Sequence, residues 1–208
     1  MVKKQAYDNV PGNLYDKYNT PNPIARRMVA GFRASFVDLV LRTHVKQVYE
    51  IGCGEGELSM ELLRRGFDVF GSDLESSVID IANDRSIAEG FGKRFIVADI
   101  YDVNPIDVSA DLVVCCEVLE HLPDVGQALS VLGRMSRSWL LVSVPREPVW
   151  RILNVARGKY LGSLGNTPGH IQHWSSRKFL ALLEDYVDIV EVRRPLPWTM
   201  VLCRPKRS

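Results

Sequence analysis

The sequence has few cysteines and no long apolar run. Its 208 residues include only Cys53, Cys115, Cys116 and Cys203, with no Cys-x-x-Cys pair. Neither a disulfide framework nor a zinc knuckle is implied, and a reducing, cytoplasmic setting is expected. No apolar stretch approaches the roughly 18 residues that a membrane span needs. The start, Met1-Val2-Lys3-Lys4-Gln5, is polar and leads into no apolar segment, so no signal peptide is expected. Repeats, low-complexity segments and a recognisable RNA-binding module are missing too, and the net charge is only +1. What remains is an ordinary globular balance, 46% hydrophobic and 25% charged, in a chain long enough to bury a core without staples.

The near-zero net charge hides a segregation. Residues 1–46 balance at +5, residues 47–125 at −12 and residues 126–208 at +8. The acidic middle coincides with the segment in which apolar runs alternate with helical patterns. Gln47–Gly52, Asp68–Asp73, Arg94–Asp99, Asp111–Cys116 and Trp139–Val144 read as five strands. Helices are expected at Gly56–Arg65, Ser76–Glu89 and Val125–Met135. That rhythm predicts an α/β fold, a parallel sheet with helices on both faces. Asn22–Thr43 reads as a helix before the sheet. Ser176–Asp185 reads as a late helix, and Val187–Arg193 and Thr199–Cys203 as two strands. The Pro195-Leu196-Pro197 joint between these strands is too short for a helical crossover, so they should pair antiparallel. One domain over residues 1–208 is expected. It comprises a helical cap (1–46), a core (47–145), an insertion (146–175) and a closing helix and hairpin (176–208).

Val48-Tyr49-Glu50-Ile51-Gly52-Cys53-Gly54-Glu55-Gly56 is the strongest local signal, a strand running into a glycine-rich turn and a helix. Glycine lets backbone turn tightly and approach a ligand closely. A dinucleotide loop would have its third glycine one residue later, where Glu57 stands. Glu50 and Glu55 are also ill placed for a pyrophosphate and better placed for a cationic ligand. Asp73 ends the second strand, where a carboxylate can accept from both hydroxyls of a ribose. Asp99 ends the third, suited to an adenine amino group, with Ile100 against the ring.

After the fourth strand comes Glu117-Val118-Leu119-Glu120-His121. If a helical turn starts there, Glu117, Glu120 and His121 share a face and offer ligands to Mg²⁺, Mn²⁺ or Zn²⁺. The insertion adds His170 and His173, of which His170 is preferred as the further ligand or base. A neutral hydroxyl is a weak nucleophile, and a metal or a histidine base would activate it. Within the insertion, Val149, Ile152, Leu153, Ala156 and Tyr160 fall at helical spacing on one expected face. Arg146, Arg151, Arg157, Lys159, Arg177 and Lys178 are opposed only by Glu147 over residues 146–178. Apolar residues beside a basic cluster suit a structural lid, a small-molecule or lipid-like acceptor with an anionic part, or brief contact with an anionic membrane surface.

As a set, VYEIGCGEG, the strand ending in Asp73, Ala98-Asp99-Ile100 and the run from Asp111 through Glu117-Val-Leu-Glu-His-Leu-Pro resemble class I S-adenosylmethionine (SAM)-dependent methyltransferases. The resemblance covers roughly residues 47–145. It implies a doubly wound, seven-stranded Rossmann-like sheet in the order 3-2-1-4-5-7-6 with the last strand antiparallel. It implies cofactor roles for Glu50, Gly52, Cys53, Gly54, Asp73, Leu74, Asp99, Ile100 and Cys116. It implies catalytic or metal-binding roles for Glu117, Glu120, His121 and His170. The Asp/Asn-Pro-Pro-Tyr/Phe motif of amino-group methylators is missing, which favours oxygen as the acceptor atom. The Glu-x-x-Glu-His run, with a histidine four residues before Trp174, is similar to two branches. One is the ubiquinone-biosynthesis O-methyltransferases and the other the small-RNA 2′-O-methyltransferases, so a small-molecule or a lipid- or sugar-linked hydroxyl is expected and RNA is the alternative. A non-catalytic SAM-binding regulator is the reading from another class.

Overall fold

A computed structural model of the chain describes residues 22–158 and 160–206. Residues 1–21 of the expected cap, and Lys159 of the basic cluster, lie outside the described residues. The chain opens with α1 (Pro23–Arg42), where Asn22 accepts from the Ile24 and Ala25 N–H groups and Pro23 takes the first position, needing no donor. Then follow β1 (Gln47–Ile51), α2 (Glu57–Arg64), β2 (Asp68–Asp73), α3 (Ser76–Ala88), β3 (Phe95–Val97) and β4 (Ala110–Cys116). The second half runs α4 (Val125–Met135), β5 (Ser136–Pro145), α5 (Val149–Ala156), α6 (Ser176–Glu184), β6 (Val187–Arg193) and β7 (Trp198–Pro205).

The strands form one sheet in the order β3-β2-β1-β4-β5-β7-β6. β7 runs antiparallel to both neighbours and the other adjacent pairs are parallel. The expected topology and hairpin are therefore present. Period-two alternation divides the core in two. Val48, Leu112, Val114, Met200 and Leu202 face a layer made by α1, α2 and α3. Tyr49, Ile51, Val113, Cys115, Val201 and Cys203 face the opposite layer, made by α4 and α6. Each fully buried leucine or valine contributes about 1.5–3 kcal/mol, so β4, buried on both faces, is the keel of the fold. Among the described residues no helix is long and apolar enough to cross a membrane.

The order reverses between β1 and β4. In open α/β sheets this switch point opens a crevice beyond the carboxyl ends of the strands. β1, β2, β3, β4 and β5 all point that way, so the segments following each converge on one rim.

Candidate active site

Beyond β1 the chain turns through Gly52 (φ 71°), Gly54 (φ 52°) and Gly56 (φ 78°), all in the left-handed region that side chains avoid. The reversal brings the N–H groups of Gly52 and Cys53 onto the Ser72 carbonyl of β2, at 2.8 and 3.0 Å. A Cβ on Gly52 would lie 2.2 Å from Val118 Cγ2, so the loop lies directly against the segment leaving β4. Gly54 N–H donates to Asp73 Oδ2 at 2.9 Å, and Glu75 N–H donates to Oδ1 at 3.0 Å. Asp73 thus ties the glycine loop to the start of α3. Glu50 is buried and accepts from Ser59 Oγ at 2.5 Å.

Asp99 is half-buried and accepts from Tyr101 N–H at 2.9 Å. Leu74 is exposed, whereas Ile100 and Cys116 are buried. Burial, and then the Glu50 and Asp73 carboxylates, push the Cys53 thiol well above its usual range, so it stays neutral. Gly52, Cys53, Gly54, Asp73, Leu74, Asp99, Ile100 and Cys116 follow or end four neighbouring strands, with Glu50 one residue inside β1. Carboxylates predominate among the charged groups, which suits a cation and a sugar diol rather than a phosphate.

The helical turn expected at Glu117 does not form. Glu117 has φ 62°, and a short 3₁₀ turn begins only at Leu119 (Leu119–His121). The side chain of Glu117 turns to the sheet instead, accepting from Ser143 Oγ at 3.1 Å and from Trp198 Nε1 at 2.5 Å. Glu120, His121 and His170 do come together, each offering one ligand atom within 4.8 Å of the others. The imidazoles of His121 and His170 meet edge to face at 4.9 Å between centroids. His121 Nδ1 lies 3.0 Å from the Gly169 carbonyl. That contact assigns the proton to Nδ1 and makes Nε2 the basic nitrogen.

The segment carrying His170 is held against the β4 exit. Ile171 and Gln172 N–H groups both donate to the Glu120 carbonyl, at 2.9 and 3.0 Å. Gln172 Nε2 reaches the Leu122 carbonyl at 3.2 Å. Further on, Trp174 bridges to Arg146 and packs on Phe179. His173 points elsewhere, its Nε2 lying 2.6 Å from Asn166 Oδ1.

Aromatic residues that the sequence reading did not place complete the wall. Trp150 of α5 stacks on His170 at 5.8 Å and touches Trp198, which meets Phe32 of α1. Trp150 Nε1 donates to Thr167 Oγ1 at 2.9 Å, and buried Asn154 donates to the Gly165 carbonyl at 2.9 Å. Trp150, Leu153 and Asn154 therefore form the inward face of α5, at i, i+3, i+4 spacing. The single apolar face expected from Val149, Ile152, Leu153 and Ala156 is split, since Ile152 and Ala156 are exposed. The sequence signal that marks the true inward face is the asparagine inside an apolar helix, four residues after a tryptophan.

Residues 49–138 match a family model described as a methyltransferase domain. The chain is 28% identical over 145 residues to a ubiquinone biosynthesis O-methyltransferase of Erwinia tasmaniensis, covering 62% of this chain and 59% of that protein. It is 34% identical over 130 residues to a magnesium-protoporphyrin O-methyltransferase of Rhodobacter capsulatus, covering 61% and 57%. The matches thus span under three fifths of either relative. Among solved structures, the magnesium protoporphyrin IX methyltransferase of Synechocystis with bound S-adenosylhomocysteine (SAH) superposes with a TM-score of 0.67 at 20% identity, covering 91% of each chain. That likeness is one of fold.

Proposed function

We propose that this chain is a class I SAM-dependent methyltransferase that transfers a methyl group from SAM to a hydroxyl oxygen of a small-molecule acceptor. The carrying observation is the contact between the two constellations. The glycine loop tied down by Asp73 lies against Val118, and Val118 immediately precedes the turn bearing Glu120 and His121. Cofactor loop and proton-handling cluster are thus built on adjoining strand ends.

The residues of the loop fit the cofactor. SAM, when bound, supplies a methyl carbon activated by a sulfonium. Asp73 would accept from the ribose hydroxyls, Asp99 from the adenine amino group, and the Glu50 side would complement the positive charge. The acceptor's oxygen needs to lose a proton as it attacks, because a neutral hydroxyl is a poor nucleophile. His121 Nε2, kept basic by the Nδ1 contact to Gly169, would take that proton. Two imidazoles and a buried carboxylate are also the donor set of a catalytic divalent site with an open position. Glu120, His121 and His170 would hold Mg²⁺, Mn²⁺ or Zn²⁺, and the ion would lower the hydroxyl's pKa. Glu117 falls outside that set. Trp150, Trp198 and Phe32 supply a flat apolar wall for the acceptor. The two O-methyltransferase relatives support oxygen as the acceptor atom, and four free cysteines suit a reducing cytoplasm.

The test is SAH release from SAM with a panel of phenolic and carboxylic acceptors, with and without a chelator. Loss of turnover in chelator, restored by a divalent ion, supports the metal; full turnover leaves His121 as the base. Folded protein that binds neither SAM nor SAH by calorimetry refutes the reading.

A further inference from the structure

The α5 helix is amphipathic in an unusual sense, because its more apolar side faces outward. Trp150, Leu153 and Asn154 turn in, and Asn154 is the only fully buried residue of the helix. The opposite side presents Ile152 at 61% and Val155 at 43% exposure beside Ala156, and the following turn adds Leu164 at 77%. Arg151, Ile152, Val155, Ala156 and Leu164 line one shallow groove. Leaving such side chains in water forgoes about 1.5–3 kcal/mol each, so a clustered set marks a contact surface.

Charge narrows the partner. No aspartate or glutamate occurs from Pro148 to Leu183, while Arg151, Arg157, Lys159, Arg177 and Lys178 do. The Arg157 guanidinium caps the Asn154 side chain and stays exposed at the end of the helix. Arg151 lies 3.7 Å from Glu147, leaving two-fifths of its side chain open. A two-turn helix and one loop residue are too small for a stable protein interface, which uses roughly 20–30 residues a side. The same features suffice for reversible contact with lipid, where each basic residue near an anionic surface adds about 1 kcal/mol and a few apolar side chains enter the interface.

We propose that the outer face of α5, with Leu164, docks onto an anionic lipid bilayer. The apolar side chains of Ile152, Val155 and Leu164 enter the headgroup boundary, and Arg151 and Arg157 engage the lipid phosphates. Through Trp150, the same helix carries its inward face to His170, so the docked surface and the candidate site share one rigid element. The proposal holds whether or not the reaction above is right, since it concerns residues outside that site.

The experiment is co-sedimentation of the full chain with phosphatidylglycerol vesicles and with pure phosphatidylcholine vesicles. Binding is expected to phosphatidylglycerol at low salt, at least tenfold weaker to phosphatidylcholine, and lost at about 1 M salt, where screening acts over about 3 Å. The variant Ile152→Ser/Val155→Ser/Leu164→Ser changes exposed positions only. It should keep its circular dichroism and SAH affinity while partitioning at least tenfold less. Failure of the wild type to sediment, equal binding to both lipids, or undiminished binding of the triple variant overturns the proposal. So does a concentration-dependent dimer in sedimentation velocity that the triple variant abolishes, which would assign the face to a second copy.

Discussion

Replacing Asp73 with alanine removes a side chain that grips both the glycine loop and the start of α3. Its two oxygens each accept one backbone N–H, from Gly54 at 2.9 Å and Glu75 at 3.0 Å. One bond is exposed and the other only part-buried, so in the free protein water takes over the donors and little stability is lost. On the proposed reading that compensation fails with cofactor bound, because the ribose would displace the water and its diol would need the carboxylate's remaining lone pairs. A hydrogen bond to a charged group is worth about 1.5–3 kcal/mol, which predicts about 10- to 150-fold weaker SAH binding. Asp73→Asn should fall between wild type and alanine, since one of its two groups becomes a donor facing another donor. Titration calorimetry with SAH measures the affinity, and thermal denaturation without ligand checks that the fold is kept. An Asp73→Ala protein that binds SAH within twofold of wild type would refute the assignment of the ribose to this carboxylate.

Three further outcomes are expected. Gly52→Ala places a methyl against Val118 in a left-handed backbone position, and should cost at least 1 kcal/mol of stability together with SAH affinity, read by denaturant melts and calorimetry. Glu120→Gln should lower turnover at least a hundredfold and abolish any metal dependence while SAH affinity stays within threefold. Glu117→Gln, which still accepts from Trp198, should leave metal dependence intact, and the opposite ranking in metal titrations would reverse the roles given to the two residues. Burial pushes all four thiols up, Cys203 to about 12. Their unfolded value is about 8.5, so above that pH the unfolded chain releases protons that the native one keeps. Stability should therefore fall with rising pH from about 8.5 towards 12, by about 1.4 kcal/mol per pH unit for each thiol. Urea melts at pH 8 and 10 with an equal midpoint would contradict this.

The sheet was readable because its signals are local and repeated. Each strand is an apolar run closed by a turn, and β4, apolar throughout, announces burial on both faces. The Pro195-Leu196-Pro197 joint forced the antiparallel pairing. Boundaries were read less well where tertiary pairing extends a strand beyond its apolar run. β5 starts at Ser136 rather than Trp139 because Ser136 pairs with Ala110 across a register shift. The site was legible as residue types more than as geometry. Nothing in Glu117-Val-Leu-Glu-His marks a left-handed glutamate, a conformation rare for a non-glycine residue. Helical spacing therefore grouped Glu117 with the wrong partners. His170 lies 50 residues after Glu120, and only the backbone bonds from Ile171 and Gln172 to the Glu120 carbonyl show how the two meet.

The displacement of Glu117 bears on how the site is supported. Its carboxylate holds Trp198 at the start of β7, Trp198 touches Trp150, and Trp150 stacks on His170. Glu117 thus acts through two indoles on His170. His170 otherwise rests on a loop whose chain reverses at Gly169, and an imidazole on such a loop would sample several orientations. Stacking against a ring pinned by Thr167 on one side and Trp198 on the other restricts it. The geometry of the cluster therefore depends on β7 and α5, which come after the motif-bearing half of the chain. The family model ends at residue 138, before all three of those rings. Cofactor binding and acceptor handling are in this sense separable. On the proposed reading the first is built from the matched segment, which also carries Glu120 and His121 towards its far end, and the acceptor's wall and His170 come from aromatic residues and an insertion that the match does not reach. Divergence in acceptor among proteins sharing this core is expected to concentrate in that second half.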